Sequence, residues 1–520
     1  MVQNLSRSLR YAKDAVVGRN GVVAAQNQAA ADIGARVLAE GGNAVDAAVA
    51  TAFALAVLEP WMSGLGGGGF MQVYDARNNK SHCIDFGMIS PKRLDAATYP
   101  LAGGTAGDLF GWPAVVEDRN IVGYHSIALP GQPDGMRLAL ERFGTRSWAE
   151  SLAPAIAVAE EGLEVDWFLS LVVASAAKDL ARFPASAAYF LPDGLPPPAE
   201  WVGAPAKLKN AALLATLKRL QAAGARDFYE GALAKSLVAD LQAGGSTIAA
   251  DDLAGYAARE VAPLLVQEGA YTLVLPPGLT AGPTLADAWA RCRAGLEKGA
   301  KGPGANSFVA YAEALDAAYE HRLATMGDTE NNGGCTTNFA IVDKHGNMVT
   351  LTQTLLSLFG SRVMLPQSGV PMNNGIMWFD PRPNRPNSIG AAKRPLSNMV
   401  PSQVLKNGKP WLAVGASGGR RILPAVMQII SFAVDFGMNL ETAFHQPRID
   451  ASVVGMPAYN PRLPADVIAA VKARFPKAME HRLDPFPLAF ACPSAVMVND
   501  DGSQVAMTEI GQPWAGAAAG

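Results

Sequence analysis

Two threonines at the ends of one stretch have the residue type and the spacing to carry out covalent chemistry. Residues 335–354 read CTTNFAIVDKHGNMVTLTQT, two alternating segments around a turn. Gly346 suits a three-residue hairpin loop closed by a left-handed residue, so Asp343 would pair with Asn347. Counting outward from that pair places Thr336 directly opposite Thr354.

The alternation divides this hairpin into two faces, because successive side chains of a strand point to opposite sides. A cross-strand hydrogen bond between the two threonines is the simplest interpretation of their pairing. The predicted polar face consists of Thr336, Asn338, Thr350, Thr352 and Thr354, and the apolar face consists of Phe339, Ile341, Val349 and Leu351.

The alternative interpretation is an N-terminal threonine nucleophile. A threonine hydroxyl is a poor nucleophile, but an α-amine with a pKa of about 7.7–8.0 can serve as base for the same residue. That amine exists only if the chain is cut between Cys335 and Thr336. The Thr336 hydroxyl would attack the Cys335 carbonyl, and the acyl group would move from nitrogen to oxygen before hydrolysis. The flexible residues 331–334, NNGG, would permit the required geometry, and Thr354 could orient the hydroxyl.

A second candidate nucleophile lies in residues 411–434, WLAVGASGGRRILPAVMQIISFAV. Residues 415–419 fit G-x-S-x-G in a strand–turn–helix context, as a serine-hydrolase elbow requires. Ser417 would then be the nucleophile, with His445 or His481 as base and Asp435 or Asp450 as acid.

Two other interpretations of this turn leave Ser417 without a catalytic role. The glycines could simply allow a helix to pack closely onto a sheet. Alternatively, the backbone amides of Gly418 and Gly419, at the start of a helix, could form an oxyanion hole.

A glycine run at residues 63–70, SGLGGGGF, does not have the pattern of a phosphate loop. It follows a helix and precedes a strand, and no Gly-Lys-Ser/Thr ends it. We therefore expect it to permit close backbone packing.

Composition favours a folded, core-rich chain. Of 520 residues, 49% are hydrophobic and 17% are charged, and the net charge of −3 with dispersed basic residues gives no electrostatic case for nucleic acid or an anionic membrane. Four cysteines without CxxC spacing and six histidines without ligand spacing predict no metal site, and no cofactor is implied. The N-terminus lacks the apolar core of a signal peptide, so we expect a cytoplasmic protein without a membrane span.

The remaining patterns indicate a layered arrangement of helices and strands. Residues 24–38 and 44–58 are predicted helices, the second apolar all round and therefore buried. Strands are expected at FMQVYD and HCIDF, and helices dominate residues 131–241, apart from a proline-rich loop at 191–205. A strand at 271–275 and helices within 285–326 precede the hairpin, and the strand WLAVGASGG and a helix at 422–436 follow it.

The chain resembles the gamma-glutamyltranspeptidase family of N-terminal-nucleophile hydrolases over nearly its whole length. The resemblance rests on several segments in the same order: GGNAVDAAVATAFALAVLEP with SGLGGGGF, ALPGQPDGMRLALERFGT, DDLAGYAAREVAP, TTNFAIVDKHGNMVTLTQT, PMNNG, AAKRPLSNMVPS and GASGGRRI.

This resemblance implies an α+β fold, a four-layer αββα sandwich made as one precursor that cleaves itself before Thr336. A large fragment, 1–335, and a small one, 336–520, would stay paired, and two such pairs could associate. Thr336 matches the family's nucleophile, Thr354 its supporting threonine, and Gly418 and Gly419 its oxyanion-hole glycines. The resemblance thus disfavours Ser417 as the nucleophile.

The residues that would grip a glutamyl substrate depart from the family's pattern. After Asp85-Phe86 the family has an arginine that holds the substrate α-carboxylate, whereas this chain has Gly87. Leu356 replaces an asparagine. After the paired asparagines 373 and 374, Gly375 and Trp378 replace the glutamine and aspartate that hold the α-amine.

The predicted substrate site is accordingly small and partly apolar. Ser397 remains from the family's serine pair and its neighbour is Asn398, while Asn374 is retained. Arg362 replaces a small residue, and it could hold a carboxylate bidentately or pair with a surface acid. We expect a small non-glutamyl amide such as oxamate, on which a branch of the family acts. The alternatives are a gamma-glutamyl transferase or hydrolase and an uncleaved, inactive binding homologue.

Overall fold

Two seven-stranded sheets lie face to face, and helices cover the outer side of each. The computed structural model describes residues 10–106, 111–200, 202–327, 337–485 and 489–520. The predicted α+β class with a four-layer αββα sandwich is confirmed.

The first sheet is antiparallel and holds the hairpin at its centre. In spatial order it consists of β21 (Gly516–Ala519), β2 (Gly21–Ala25), β12 (Thr337–Asp343), β13 (Met348–Thr354), β3 (Gly68–Asp75), β4 (Lys80–Phe86) and β9 (Arg259–Val261).

The second sheet contains the strand that leads into the glycine turn. In spatial order it consists of β1 (Val16–Gly18), β20 (Gln504–Thr508), β19 (Cys492–Val498), β15 (Lys409–Ser417), β14 (Ser402–Lys406), β11 (Tyr271–Leu275) and β10 (Leu264–Glu268). Three smaller sheets pair β5 (Leu101–Thr105) with β6 (Pro113–Val115), β7 (Leu163–Glu164) with β8 (Lys207–Leu208), and β16 (Ile449–Asp450) with β17 (Ala458–Tyr459) and β18 (Met479–Glu480).

The helices form the two outer layers. Those packed on the first sheet include α1 (Gln28–Ala39), α2 (Ala44–Leu58), α3 (Gln132–Phe143), α4 (Trp148–Glu161), α7 (Ala211–Ala223), α8 (Ala232–Ala243) and α9 (Ala250–Ala254). Those packed on the second sheet include α10 (Gly282–Cys292), α11 (Ala305–Thr325), α12 (Ile422–Phe436), α13 (Leu440–His445) and α14 (Ala465–Arg474). A separate apolar cluster contains α5 (Trp167–Leu180) and α6 (Pro184–Phe190). Within the described ranges, no helix combines the length and apolar character needed to cross a membrane.

Helix α2 is buried along almost its entire length, as its uniform apolar composition predicts. Asn43 accepts hydrogen bonds from the first helical amides, and Asp46 accepts one in return from the Asn43 amide at 2.8 Å, which forms a capping box. The helix ends at Leu58, directly before Glu59 and Pro60, and the Glu59 carboxyl group reaches Thr337 at the start of β12.

A small apolar core joins the two sheets. It contains Val22, Ala24, Ala340 and Val342 from the first sheet and Ala413, Val496 and Ala506 from the second. Small side chains let the sheets approach closely, which places β12 and β13 over β15.

The predicted helix at residues 24–38 begins too early. Ala24 and Ala25 belong to β2, where they pair with Ala340 and Phe339, and the helix starts only at Gln28. Alanine has a strong local preference for helix, but the hydrogen bonds to two neighbouring strands outweigh it here. The other predicted strands and helices are present, and α12 spans the predicted residues 422–436.

Candidate active site

The hairpin has the predicted register in the part that the structure describes. Thr337 pairs with Gln353 at its open end. At the closed end the amide of Asp343 donates to the carbonyl of Asn347 at 3.0 Å, and Gly346 has a φ of +84°. The loop therefore has three residues, as the glycine position indicated.

Cys335 and Thr336, the predicted cleavage site and nucleophile, lie outside the described residues. The pairing of Thr336 with Thr354 and the cut between residues 335 and 336 therefore stay predictions. The described structure begins again at Thr337, the residue directly after the proposed nucleophile.

The polar face of the hairpin points into the space between the two sheets. Thr352 Oγ1 donates to Asn338 Oδ1 at 2.9 Å, and Asn338 Nδ2 donates to Ser494 Oγ of β19 at 2.9 Å. Gly415 of β15 lies opposite, where a Cβ atom would stand 2.1 Å from Asn338 Oδ1. For the described residues the predicted division into faces is confirmed, since the members of the apolar face pack under the helices of the first sheet. The position of Thr336 on the polar face stays a prediction.

Thr354 is fully buried at the end of β13. Its Oγ1 accepts a hydrogen bond from the amide of Leu356 at 2.6 Å, which holds the chain as it leaves the strand, and Leu356 has a φ of +88°. On its other side Thr354 pairs with Gly68, and a Cβ atom on Gly67 would lie 2.1 Å from the Thr354 carbonyl oxygen. The glycine run thus permits close backbone packing, as predicted.

Strand β15 ends in a turn whose conformation requires glycine. Gly418 has a φ of +131° and Gly419 a φ of +63°, and helix α12 begins three residues after Gly419. A Cβ atom on Gly418 would stand 2.9 Å from Ala491 Cα. Within the described residues neither glycine amide donates to another group, which is compatible with the predicted oxyanion hole.

Ser417 does not have the surroundings of a catalytic serine. Its Oγ accepts a hydrogen bond from Gln26 Nε2 at 2.5 Å, and no described histidine contacts it. His445 instead contacts the Glu441 carbonyl through Nδ1 at 2.9 Å. The described geometry therefore favours a structural role for Ser417.

A chain of buried polar groups connects this turn with the start of β12. Gln26 donates to Ser417 Oγ and, at 2.9 Å, to the carbonyl of Cys492, while Gln26 Oε1 lies 2.8 Å from Thr337 Oγ1. Thr337 Oγ1 also lies 3.0 Å from Glu59 Oε2. The residue directly after the proposed nucleophile is therefore tied to both the glycine turn and helix α2.

Sequence reasoning missed Glu59 as part of this site. Its carboxyl group is buried, and Oε1 has no hydrogen-bond partner among the described residues. Burial raises the pKa of Glu59 to about 7, although the Thr337 hydroxyl acts in the opposite direction. The available signal was a carboxylate directly after a helix whose last turns are apolar.

Ser397 and Asn398 lie together in a buried segment. The Ser397 amide donates to the Leu279 carbonyl at 2.8 Å, and Ser397 Oγ accepts from the Met399 amide at 3.1 Å. Arg322 donates to the Ser397 carbonyl and approaches Asn398 Oδ1 at 3.4 Å. Asn398 also borders a cavity with Trp378.

Asn374 fixes the loop that follows Thr354. Its Oδ1 accepts from the Ser357 amide at 3.1 Å, and its Nδ2 donates to Ser357 Oγ and to the Ile121 carbonyl, both at 2.9 Å. These contacts show a scaffolding role, and substrate binding by Asn374 stays a prediction.

Arg362 lies against helix α6. Its carbonyl accepts from Ser186 Oγ at 2.6 Å, and its guanidinium donates to the Gly360 carbonyl. Burial lowers the pKa of Arg362, and the carboxylate of Asp179 partly offsets this effect. No acidic side chain among the described residues forms an ion pair with it, and binding of a substrate carboxylate by Arg362 stays a prediction.

Two of the positions that depart from the family's glutamyl pattern form an apolar wall. Leu356 and Trp378 belong to one buried cluster, which also contains Phe70, Met88, Ile376 and Met377. Beside Gly87, the guanidinium of Arg394 donates to Asp85 Oδ1 at 2.8 Å.

Comparisons with known proteins agree with this architecture. The family model described as Gamma-glutamyltranspeptidase matches residues 30–333 and 329–509. The Glutathione hydrolase proenzyme of Bacillus subtilis (strain 168) is 29% identical over 92% of this chain and 87% of its own length.

Two acylases are also similar. The Acylase ACY 1 proenzyme of Pseudomonas sp. (strain SE83) is 32% identical over 94% of this chain and 91% of its own length. The crystal structure of cephalosporin acylase from Bacillus halodurans covers 100% of this chain and 99% of its own with a TM-score of 0.87 at 25% identity.

Proposed function

This chain belongs to the gamma-glutamyltranspeptidase family of amide-hydrolysing enzymes, and we propose that Thr336, once freed by cleavage after Cys335, is its nucleophile. Two of the relatives are named proenzymes, which supports maturation by a cut within the chain. The burial of Thr337 at the start of β12, and its link through Gln26 to Ser417 beside the glycine turn of β15, support this proposal.

The proposed reaction uses two successive acyl transfers. Thr336 Oγ adds to the amide carbonyl carbon while its own α-amine takes the hydroxyl proton, and the amides of Gly418 and Gly419 donate to the oxyanion. Collapse breaks the C–N bond, and the leaving nitrogen takes the proton and departs as ammonia. Water then adds to the ester, the bond to Oγ breaks, and the free hydroxyl is restored. For oxamate the products are oxalate and ammonia.

The substrate that we propose is a small non-glutamyl amide such as oxamate. The observation that carries this choice is the burial of Leu356 and Trp378 in one apolar cluster beside the end of β13. A glutamyl ammonium group placed against these side chains would lose its hydration without gaining a partner, at a cost of several kcal/mol by order of magnitude.

The test compares two substrates with the purified chain. We expect ammonia release from oxamate, little release of aniline from a γ-glutamyl anilide, and two fragments in denaturing mass analysis, the smaller one starting at Thr336. The matched control, Thr336→Ala, should stay a single chain and release no ammonia.

Three results would contradict the proposal in different ways. Rapid turnover of the anilide without ammonia from oxamate would favour a gamma-glutamyl hydrolase, in line with the relative named glutathione hydrolase. A single uncleaved wild-type chain would favour a binding homologue. Cleavage of Thr336→Ala at the same bond would refute self-cleavage by Thr336.

The wider arrangement follows from the same proposal. Residues 1–335 and 336–520 would form the two paired fragments, and two such pairs could associate. The cytoplasmic location expected from the sequence stays a prediction.

A further inference from the structure

Gln26 lies between the last residue of β2 and the residue that caps helix α1. Ala25 before it pairs with Phe339 of β12, and Asn27 after it accepts a hydrogen bond from the Ala30 amide at 3.2 Å. The backbone is therefore held on both sides of Gln26. Its side chain is only 1% exposed, so the amide has to form its hydrogen bonds inside the protein.

Every hydrogen of the Gln26 side-chain amide is used. Nε2 donates to Ser417 Oγ at 2.5 Å and to the Cys492 carbonyl at 2.9 Å, while Oε1 accepts from Thr337 Oγ1 at 2.8 Å. Exchanging the amide oxygen and nitrogen would set Oε1 against the Cys492 carbonyl, two acceptors without a hydrogen between them. The surroundings therefore fix the orientation of this amide, and a carboxylate in its place could not donate.

These contacts cross from one layer of the fold to another. Thr337 faces the helices of the first sheet, because its cross-strand partner Gln353 donates to the Ala52 carbonyl of α2 at 3.2 Å. Ser417 is the last residue of β15 in the second sheet. Among the described residues no hydrogen bond joins Thr337 directly to Ser417, and both are bound by Gln26.

The neighbours of these two residues in the sequence give the link its significance. Thr337 directly follows the proposed nucleophile, and Ser417 directly precedes Gly418 of the proposed oxyanion hole. A nucleophile and its oxyanion donors act on the same carbonyl group, and a displacement of about 1 Å between them can slow a reaction by about 10²-fold. A buried amide bound at both ends is suited to hold this spacing.

We propose that Gln26 is a positioning residue for both reactions of the proposed nucleophile, because it holds the start of β12 at a fixed distance from the glycine turn. The two reactions are self-cleavage and amide hydrolysis, so this inference rests on the proposed function. Gln26 acts through Thr337 on one side and through Ser417 on the other. The Ser417 hydroxyl then serves as an anchor for the turn, in agreement with its lack of a histidine partner among the described residues.

The experiment is a double-mutant cycle on Thr337→Val and Ser417→Ala, with the rate constant of self-cleavage as the readout. Each protein is made by cell-free synthesis, synthesis is stopped, and the fragments are followed over time on denaturing gels. Each substitution removes one end of the link and should slow cleavage by about threefold to tenfold. Because the remaining end then holds no spacing, the double variant should be little slower than the slower single variant. Misfolded protein lowers the final extent of cleavage and not its rate constant.

Gln26→Met tests the link at its centre, since methionine has a similar length but forms none of the three hydrogen bonds. It should cleave about as slowly as the double variant, and adding Ser417→Ala should change its rate by less than about twofold. Thr216→Val is the matched control, a buried threonine on α7 whose hydroxyl donates to the Ser368 carbonyl at 2.8 Å. Its effect on the rate should multiply with that of Ser417→Ala.

The cleaved enzymes provide a second readout with oxamate as substrate. For Gln26→Met, kcat per cleaved and folded molecule should fall by about the same factor as the cleavage rate, while KM stays within about twofold. This division is expected because Gln26 acts through its neighbours and does not contact the substrate. The concentration of cleaved, folded enzyme is obtained from intact-mass analysis and native chromatography.

The outcomes separate this inference from the proposed function. If the effects of Thr337→Val and Ser417→Ala multiply, or if Gln26→Met cleaves within about twofold of the wild-type rate, Gln26 is not a positioning residue and the proposed function stands. If the cycle shows the expected coupling but oxamate is not hydrolysed, the proposed substrate is wrong and the inference stands, because self-cleavage requires no added substrate. A wild-type chain that is never cleaved would overturn both.

Discussion

At the end of helix α2 a carboxyl group is buried next to the strand that would follow the cut. Thr337 has one hydroxyl proton but two neighbouring acceptors, Gln26 Oε1 at 2.8 Å and Glu59 Oε2 at 3.0 Å. If Glu59 is protonated, it donates to Thr337 and Thr337 donates to Gln26, so every short contact has a proton. Burial raises the pKa of Glu59 from 4.5 to about 7, which favours this neutral form up to near-neutral pH.

We expect Glu59→Gln to remove a pH dependence of stability. Because the folded-state pKa of Glu59 is raised, its contribution to stability is fully present below pH 4.5 and is lost as pH rises through about 7. Glutamine resembles the neutral carboxyl group. In a Thr336→Ala background, the two proteins should therefore melt alike near pH 5, and Glu59→Gln should melt at least about 2 °C higher near pH 8.

The control for this measurement is Glu320→Gln, a substitution at an exposed site on α11. It should change the melting temperature equally at both pH values. If the Glu59 variant and its parent differ by the same amount at pH 5 and pH 8, Glu59 does not titrate in this range.

At the scale of the elements, the glycine run before β3 contacts strand β13 through backbone atoms and not through side chains. The glycine run before β3 lies against the end of β13, and Cβ atoms on Gly67 and Gly69 would stand 2.1 and 2.2 Å from the carbonyl oxygens of Thr354 and Thr352. Backbone atoms cannot move aside as a flexible side chain can. The run therefore determines how closely the glycine loop and β3 approach the supporting threonine.

We expect Gly67→Ala to disturb the site through this contact. The added methyl group meets the Thr354 carbonyl, so the strand end must shift, and such overpacking costs about 1–3 kcal/mol or more. The variant should melt at a lower temperature and cleave more slowly, as followed by thermal unfolding and denaturing gels. Gly302→Ala is the control, since its new methyl group would meet only the end of Met438, at 3.2 Å. Equal effects of both substitutions would argue against the contact.

Across the whole molecule, the strands before and after the proposed cut interleave in both sheets. In the first sheet, β12 and β13 of the later part lie between β2 and β3 of the earlier part. In the second sheet, four strands of the later part, β20, β19, β15 and β14, lie between β1 and β11 of the earlier part. A cut before β12 would leave these hydrogen bonds in place.

The two fragments should therefore stay together after cleavage. We expect them to co-elute in size-exclusion chromatography under native conditions and to separate only in denaturant, because separation would break both sheets and expose the core between them. The uncleaved Thr336→Ala protein should elute at the same volume as the cleaved wild type. Separate elution of the fragments without denaturant would contradict the interleaved arrangement.

Local patterns determined the hairpin and the glycine turn. The three-residue loop fixes which residues of β12 and β13 pair, and the alternation of side chains along a strand fixes the face on which each lies. Both effects act over a few neighbouring residues. The same holds for α12, where helical periodicity begins directly after the turn. Ala24 and Ala25 were assigned wrongly because their strand partners are more than 300 residues away along the chain, at Phe339 and Ala340.

The sequence by itself thus determined the family through its contiguous motifs, and the hairpin from Thr337 onward and the glycine turn through short-range periodicity. The four-layer class followed from the resemblance to the family. Only the tertiary structure decided that Glu59 meets Thr337 and that Arg322, Arg420, Trp112 and Trp378 line one cavity. Glu59 Oε1 and the indole Nε1 atoms of Trp112 and Trp378 are buried and have no hydrogen-bond partner among the described residues. Both properties depend on three-dimensional packing. Each of these contacts joins residues far apart in the chain, so no local pattern could reveal them.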